Sequence, residues 1–367
     1  MSDTSETAAR RLRHDSPTVD AVCRQLEHQA DPSEVALVVE FAEIFFSKAP
    51  PEFLHERSTD ALAHLALGAF RFLQRGRPDR VDVEVRNPEV GDEGWYAPVT
   101  VIRTNISERP FIVDSIREFL HAQELAIEYI IYPVLHVERN DDGGVVAVRP
   151  SREGEKRESL VHCEVVQVRD PETMEFLRSE LIRRLEDVRR ATDAFSPMIE
   201  QVNEVVAELA ESGRVLLDRR DEVEEIQAFL RWLRDGGFVF LGYRGYDIVD
   251  VEGKGPCITV TAGSGLGVLD SEGESRFAKP VPVSALEESQ REIVERGPVL
   301  IISKTNAEAT VHRRARMDYI GVKKLDAAGR VAGEHRFLGL FTSRAYNDLP
   351  SDIPILRRKL QKILICY

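Results

Sequence analysis

The chain is poor in the residues that build covalent or metal frameworks. Only four cysteines occur in 367 residues (Cys23, Cys163, Cys257, Cys366), far apart and without a CxxC pair. That spacing excludes a disulfide frame or a zinc finger and predicts free thiols in a reducing, cytoplasmic setting. His162 and Cys163 are adjacent, so on a strand they face opposite ways and cannot share a metal. Basic residues are also short: 49 Lys and Arg stand against 63 Asp and Glu, a net charge of −14. This excludes a chain devoted to nucleic acid or acidic membrane, because phosphate binding needs a basic surface. No apolar run approaches the roughly 18 residues of a membrane-spanning helix. The opening MSDTSETAARRLRHDSP has no apolar signal core and is not read as a secretory leader. Walker, GxSxG, HExxH and kinase signatures are missing. Ala262–Gly267 (AGSGLG) lacks GxGxxG spacing and no periodic helix follows it, so it reads as a Gly-rich connection rather than a dinucleotide site.

What is present is a change of hydrophobic period along the chain. Length alone allows about two or three domains. Residues 1–16 read as a disordered lead-in. Over 17–78 the period is helical: Asp31-Pro32-Ser33-Glu34 signals one helix start and Ser58 another, with Gly76 and Pro78 as stops. At Val81, Val83 and Val85 the pattern becomes alternating. Over 79–191 the order is strand, strand, helix, strand, strand, strand, helix. Ile127–Val137 is expected as one long strand carrying Pro133 at an edge or bulge. Residues 192–235 return to a helical period and read as a connector. Residues 236–348 form a second unit of long strands, a helix near 285–295 and a hairpin turn at Gly329. Residues 349–367 carry an apolar helical pattern (Ile355, Leu356, Leu360, Ile363, Leu364) to the last residues, and read as a truncated amphipathic helix. The fold class expected is α+β: a helical module, an antiparallel sheet with helices on one face, a helical connector and a second α+β unit.

Two groups of residues are candidates for binding. Glu108–Ser115 (ERPFIVDS) joins a strand to a helix, and the free N–H groups at such a start suit an anion. Asn105, Ser107, Arg109, Pro110 and Asp114 form the candidate effector loop there. The stretch resembles the ligand loop of ACT domains, ferredoxin-like regulatory modules that often bind amino acids, with Phe111 standing where that family prefers Gly. The resemblance implies a further sheet strand after the second helix; none follows, and Val81–Arg86 is placed to substitute from the other end. His312, Arg313, Arg314 and Arg316 form a basic cluster suited to an interface or an anion. Solvated loop charge or an interface salt-bridge set is the favoured reading of it, given the overall negative charge.

Longer strings carry a stronger likeness. Trp232–Arg244 (WLRDGGFVFLGYR), Met317–Lys323 (MDYIGVK), Gly333–Ser343 (GEHRFLGLFTS) and Ile353–Lys359 (IPILRRK) follow ERPFIVDS in order. In that order they closely resemble the N-terminal half of the large bacterial NAD-specific glutamate dehydrogenases. The resemblance implies a front portion of a longer cytoplasmic polypeptide whose catalytic domain, with its Rossmann fold for NAD, comes further on. It implies no catalytic, cofactor or metal residue in this chain, which is then inactive alone. Expected partners are the remainder of that polypeptide, further copies of it and an amino-acid effector, without nucleic acid or membrane. A stand-alone amino-acid sensor and a structural interaction module are the alternatives.

Overall fold

A computed structural model describes residues 17–77, 79–215 and 219–359. The expected lead-in 1–16 and the apolar Leu360, Ile363 and Leu364 lie outside the described residues. The chain divides into two compact units, Met1–Glu186 and Asp187–Tyr367.

The first unit opens with helices α1 (Pro17–Gln29), α2 (Val35–Phe46), α3 (Pro51–His55) and α4 (Thr59–Arg75). Ser58 caps α4, its Oγ accepting from the Ala61 N–H at 3.1 Å. Asp31 instead closes a turn by accepting from the Ser33 N–H and hydroxyl, and α2 begins at Val35, three residues later than the Pro32 start expected. Seven of its twelve residues are buried, among them Phe41, Ile44, Phe45 and Phe46. Each such side chain contributes roughly 1.5–3 kcal/mol on full burial.

Then come β1 (Asp82–Arg86), α5 (Val90–Glu93), β2 (Val99–Ser107), α6 (Ile112–Ala122), β3 (Ile127–Ile131), β4 (Val134–Arg139), β5 (Val145–Pro150), β6 (Glu158–Val166) and α7 (Pro171–Asp193). The sheet order is β1-β2-β6-β4-β5, with β3 also on β6, and every pairing is antiparallel. The substitute strand is therefore real: β1 lies along β2 from Asp82↔Asn105 to Arg86↔Val101. The expected single strand 127–137 is broken at Tyr132-Pro133. Proline lacks the N–H a continuous ladder needs, so β3 pairs with one end of β6 and β4 with the other.

Eight consecutive residues of both β2 and β6 are buried, so both faces of this sheet are covered. Val99, Val101 and Leu160 share one core with α1–α4. The opposite face presents Ile102, Ile106, Val161, Cys163 and Val165 beneath α6 and α7; Arg117 of α6 lies close enough to act on the Cys163 thiol. The packing thus crosses residue 78, where the period change had suggested a boundary.

Charged groups are sealed into the face under α1–α4. Glu164, fully buried, accepts from Arg57 at 2.5 Å and from His162 Nε2 at 3.3 Å. Arg103, also fully buried, donates to His162 Nδ1 at 3.4 Å and to Glu84 at 2.8 Å. This places the imidazole proton on Nε2. The Arg57 guanidinium stacks 3.9 Å above the Phe53 ring, and Phe45 and Phe53 meet His162 edge-on.

The second unit places α8 (Phe195–Val215) and α9 (Arg220–Trp232) against a seven-stranded sheet of β7 (Phe238–Val251), β8 (Gly255–Val260), β9 (Leu266–Gly267), β10 (Val281–Pro282), β11 (Leu300–Glu308), β12 (Arg316–Leu325) and β13 (Val331–Phe341). A short α10 (Glu288–Arg296) precedes β11, and α11 (Ser343–Asn347) follows β13. The order is β10-β8-β7-β13-β12-β11, with β9 on β7. Met198, Val202, Val205, Ile226 and Leu230 pack on Phe240, Tyr243, Ile320, Val322 and Phe337. The helices read as a connector are accordingly one layer of this unit. The turn at Gly329 (φ 78°) is held by Asp326, which accepts from the Ala328 and Arg330 N–H groups at 2.9 Å. The Gly-rich run packs on β7: a Cβ at Gly267 would come within 2.2 Å of the Leu241 carbonyl oxygen.

Two outcomes test this packing. Arg57→Met removes the cation from a fully buried carboxylate and should cost about 3–5 kcal/mol, read by chemical denaturation. A loss below 1 kcal/mol, roughly the ceiling for a typical exposed pair, would contradict the sealed pairing. A Cβ at Gly339 would lie 2.0 Å from the Val239 carbonyl oxygen, beside the bulge that Leu241 makes in β7. Gly339→Ala should therefore destabilise by about 1–3 kcal/mol, seen as a lowered thermal midpoint in circular dichroism.

Candidate functional site

The ERPF loop leaves β2 at Ser107 and enters α6 through Phe111. That residue sits at φ 75° and ψ 1°, the left-handed region, and provides no side-chain cap. Glycine enters this region without the Cβ penalty, which gives the ACT family's Gly preference here a backbone reason. Arg109 turns back on its own loop: Nε donates to the Ser107 carbonyl at 3.1 Å and a terminal nitrogen donates to the Ser107 hydroxyl. The Glu108 N–H donates to the Arg157 carbonyl at 2.8 Å, and the Glu108 carboxylate accepts from the Tyr132 hydroxyl at 2.5 Å. Burial, with this carboxylate beside it, holds the Tyr132 phenol above its usual range. Pro110 and Asp114 are exposed at the start of α6.

Asn105 is elsewhere. It is fully buried, its amide 3.5 Å from the Ser159 carbonyl, and its side-chain oxygen fills the space a Cβ on Gly76 would need. The structure thus brings Ser107 and Arg109 together, leaves Pro110 and Asp114 at the rim, and puts Asn105 in the core.

The basic cluster does not converge on one point. Arg313 donates to the Phe341 carbonyl at 2.7 Å, Arg314 pairs with Glu308 at 2.7 Å, and Arg316 is exposed at the start of β12. His312 occupies a left-handed turn at φ 69°. The Cys163 thiol is pushed up to about 12 by burial, with Glu164 adding to the effect, which keeps it protonated and unreactive. Among the described residues no group of three or more His, Cys, Asp or Glu is arranged to hold a metal ion. Among them, too, no helix is long and apolar enough to cross a membrane.

A cavity of about 510 Å³ lies in the second unit, on the sheet face opposite α8 and α9. Its floor is made by alternate residues of β7, β12 and β13; its cover is the segment around Phe277, Leu286 and α10. Tyr246, Tyr319 and Arg336 occupy the floor. The Arg336 guanidinium lies 4.2 Å from the Tyr246 ring centroid and 5.1 Å from that of Tyr319. It donates to Glu334 and to the Tyr246 hydroxyl at 3.1 and 3.0 Å. The Tyr319 hydroxyl donates to the same carboxylate. Burial and the Glu334 charge raise the Tyr319 phenol. Burial opposes the Arg336 charge, but Tyr319, Glu334 and Tyr246 outweigh it and hold the guanidinium above its ordinary value.

The sequence reading did not single out this group. Counting back from the Gly329 turn, with Asp326 opposite Arg330 and Leu325 opposite Val331, sets Lys323 opposite Gly333. A bulge at Ala332 shifts the register so that Lys323 faces Glu334 and Gly321 faces Arg336. This shift, which no local pattern announces, puts Tyr319, Lys323, Glu334 and Arg336 on one face.

Comparison with known proteins connects the two units. Residues 41–181 match the family model described as the ACT1 domain of glutamate dehydrogenase. Over 343 residues the chain is 33% identical to the NAD-specific glutamate dehydrogenase of Halomonas elongata, an alignment covering 93% of this chain and 21% of that protein. With the enzyme of the same name from Pseudomonas aeruginosa the identity is 30% over 364 residues, 98% of this chain and 22% of the relative. The NAD-specific glutamate dehydrogenase of Mycobacterium tuberculosis is 28% identical over 261 residues, covering 69% of this chain and 14% of that protein. The chain spans about a fifth of the length of the first two relatives. By its sequence it belongs with the NAD-specific glutamate dehydrogenases, as a portion that carries their ACT1 domain.

Proposed function

We propose that this chain is the regulatory and assembly portion of an NAD-dependent glutamate dehydrogenase. The longer polypeptide converts L-glutamate, NAD and water to 2-oxoglutarate, ammonium, NADH and a proton in the cytoplasm, and it works as a homo-oligomer. NAD binds outside this portion. One observation carries the reading: similarity runs along 93–98% of the chain yet reaches only 21–22% of the relatives. Hydride transfer needs a carboxylate clamp, a base and a nucleotide site in one cleft, and the sequence offers no nucleotide fingerprint.

Regulation acts by population shift. An effector that binds one arrangement of these units better than another moves the equilibrium by its difference in affinity. An amino acid at Ser107 and Arg109 would have to displace the bonds that now tie that guanidinium to its own loop; ligand binding is thereby coupled to reordering of the entry into α6.

The purified chain, given glutamate and NAD, should form no NADH; robust turnover would place the catalytic machinery inside it and overturn the reading. In the full-length enzyme, Arg57→Met should change how the rate responds to glutamate or effector concentration while NADH formation stays measurable. Identical kinetics across the concentration range would remove the regulatory role.

A further inference from the structure

Lys323 lies on the floor of the second unit's cavity and is 4% exposed. An ammonium carries three donors. The Lys323 Nζ donates to the Gly297 carbonyl at 2.8 Å, and among the described residues no carboxylate lies within ion-pair distance of it. Its cross-strand neighbour Glu334 is engaged by Tyr319 and Arg336. The next residue, Lys324, shows the ordinary solution: it points to the other face and pairs with Asp247 at 2.7 Å and with the Thr261 hydroxyl at 3.1 Å. Burial pushes the Lys323 amine below the usual lysine range. The Glu334 charge favours the ammonium without forming an ion pair with it, and the Arg219 charge opposes it. An ammonium held out of water without a paired counter-charge is costly, and an anion bound in the cavity offsets that cost.

The cavity also says what kind of anion. Its volume falls within the roughly 300–1,000 Å³ of small-molecule sites, and Ile258, Leu286 and Ile301 contribute apolar wall. Four cationic side chains line it (Arg244, Arg276, Lys323, Arg336) against two carboxylates. Both carboxylates are committed, Glu334 as above and Asp247 to Lys324 and Thr261. No acceptor of full charge is left for a ligand ammonium.

We propose that this cavity binds a small monocarboxylate with an apolar body and no amino group, its carboxylate accepting from Lys323 Nζ. The site is distinct from the ERPF loop. It follows from Lys323 and the cavity alone, whatever reaction the longer polypeptide performs. An amino acid of the same shape is discriminated against, because its ammonium enters a space already rich in positive charge.

Calorimetry on the 367-residue chain tests this with three probes of closely matched shape: phenylacetate, phenylacetamide and 2-phenylglycine. Phenylacetate should bind saturably in the submillimolar range, with the amide and the amino acid each at least about tenfold weaker. Lys323→Met should abolish the preference for the acid over the amide. It should also raise the thermal midpoint of the unliganded chain, because a buried charge without an ion-pair partner is gone. Absence of saturable phenylacetate binding at millimolar concentration, equal binding of acid and amide by the unsubstituted chain, or an acid preference that survives Lys323→Met would each overturn the site. Should Lys323→Met fail to fold, Leu286→Trp fills the cavity from its cover and must remove phenylacetate binding. Binding that persists in that variant overturns the proposal equally.

Discussion

A sheet whose central strands carry apolar residues on both faces must be covered twice, and both units of this chain are built around that requirement. β2 and β6 are buried along eight consecutive residues each. With α6 and α7 alone, Val99, Val101 and Leu160 would stand in water; burying each is worth roughly 1.5–3 kcal/mol. The helices α1–α4 supply the missing layer. The second unit meets the same requirement less completely. α8 and α9 close one face with a continuous aromatic and aliphatic core, while a short irregular cover closes the other and leaves a cavity. Ligand space is thus found where the covering layer is thinnest.

The polar groups follow from the same constraint. Covering a sheet face that carries Arg103, His162 and Glu164 forces these groups to satisfy one another, and Arg57 is brought down from the helical layer to complete the set. Arg336, Glu334 and the two tyrosines do the same on the cavity floor. A buried ion pair adds little net stability when complete, but breaking it is costly. These networks therefore fix which surfaces meet more than they strengthen the meeting. Lys323 is the exception, with a single carbonyl partner.

Much of this was legible in the sequence, and the remainder was hidden for a definite reason. Alternation at Val81, Val83 and Val85 revealed β1, and the short second half of the ACT pattern indicated where it would pair. Ser58, Gly329 and Asp326 announced their cap and turn by local chemistry. Period change, however, reports the type of element and not its packing partner. The switches near residues 78 and 235 were thus read as domain limits, although cores run across both. Arg57 and Glu164 are 107 residues apart, and Arg336 and Tyr246 are 90; no local pattern encodes such pairs. Proline at 133 was visible, but whether it bends a strand or divides it depends on the β6 ladder it faces. At the candidate loop the sequence placed Asn105 beside Ser107 and Arg109. Asn105 shares the inward face of β2 with Val99 and Val101, and Gly76, distant in the chain, leaves the room its side chain occupies.

The edge strand β1 has a further consequence for the order in which the molecule is made. Because this strand comes from upstream of β2, the first sheet is complete once β6 has been synthesised, and its second helical cover once α7 has. A domain whose edge strand came from beyond α7 would have to wait, with the flank of β2 open to pairing with other chains. Here the strand that fills that flank already exists when β2 is made. Every strand of the first sheet thus precedes every strand of the second in the chain, an order that suits folding domain by domain during synthesis.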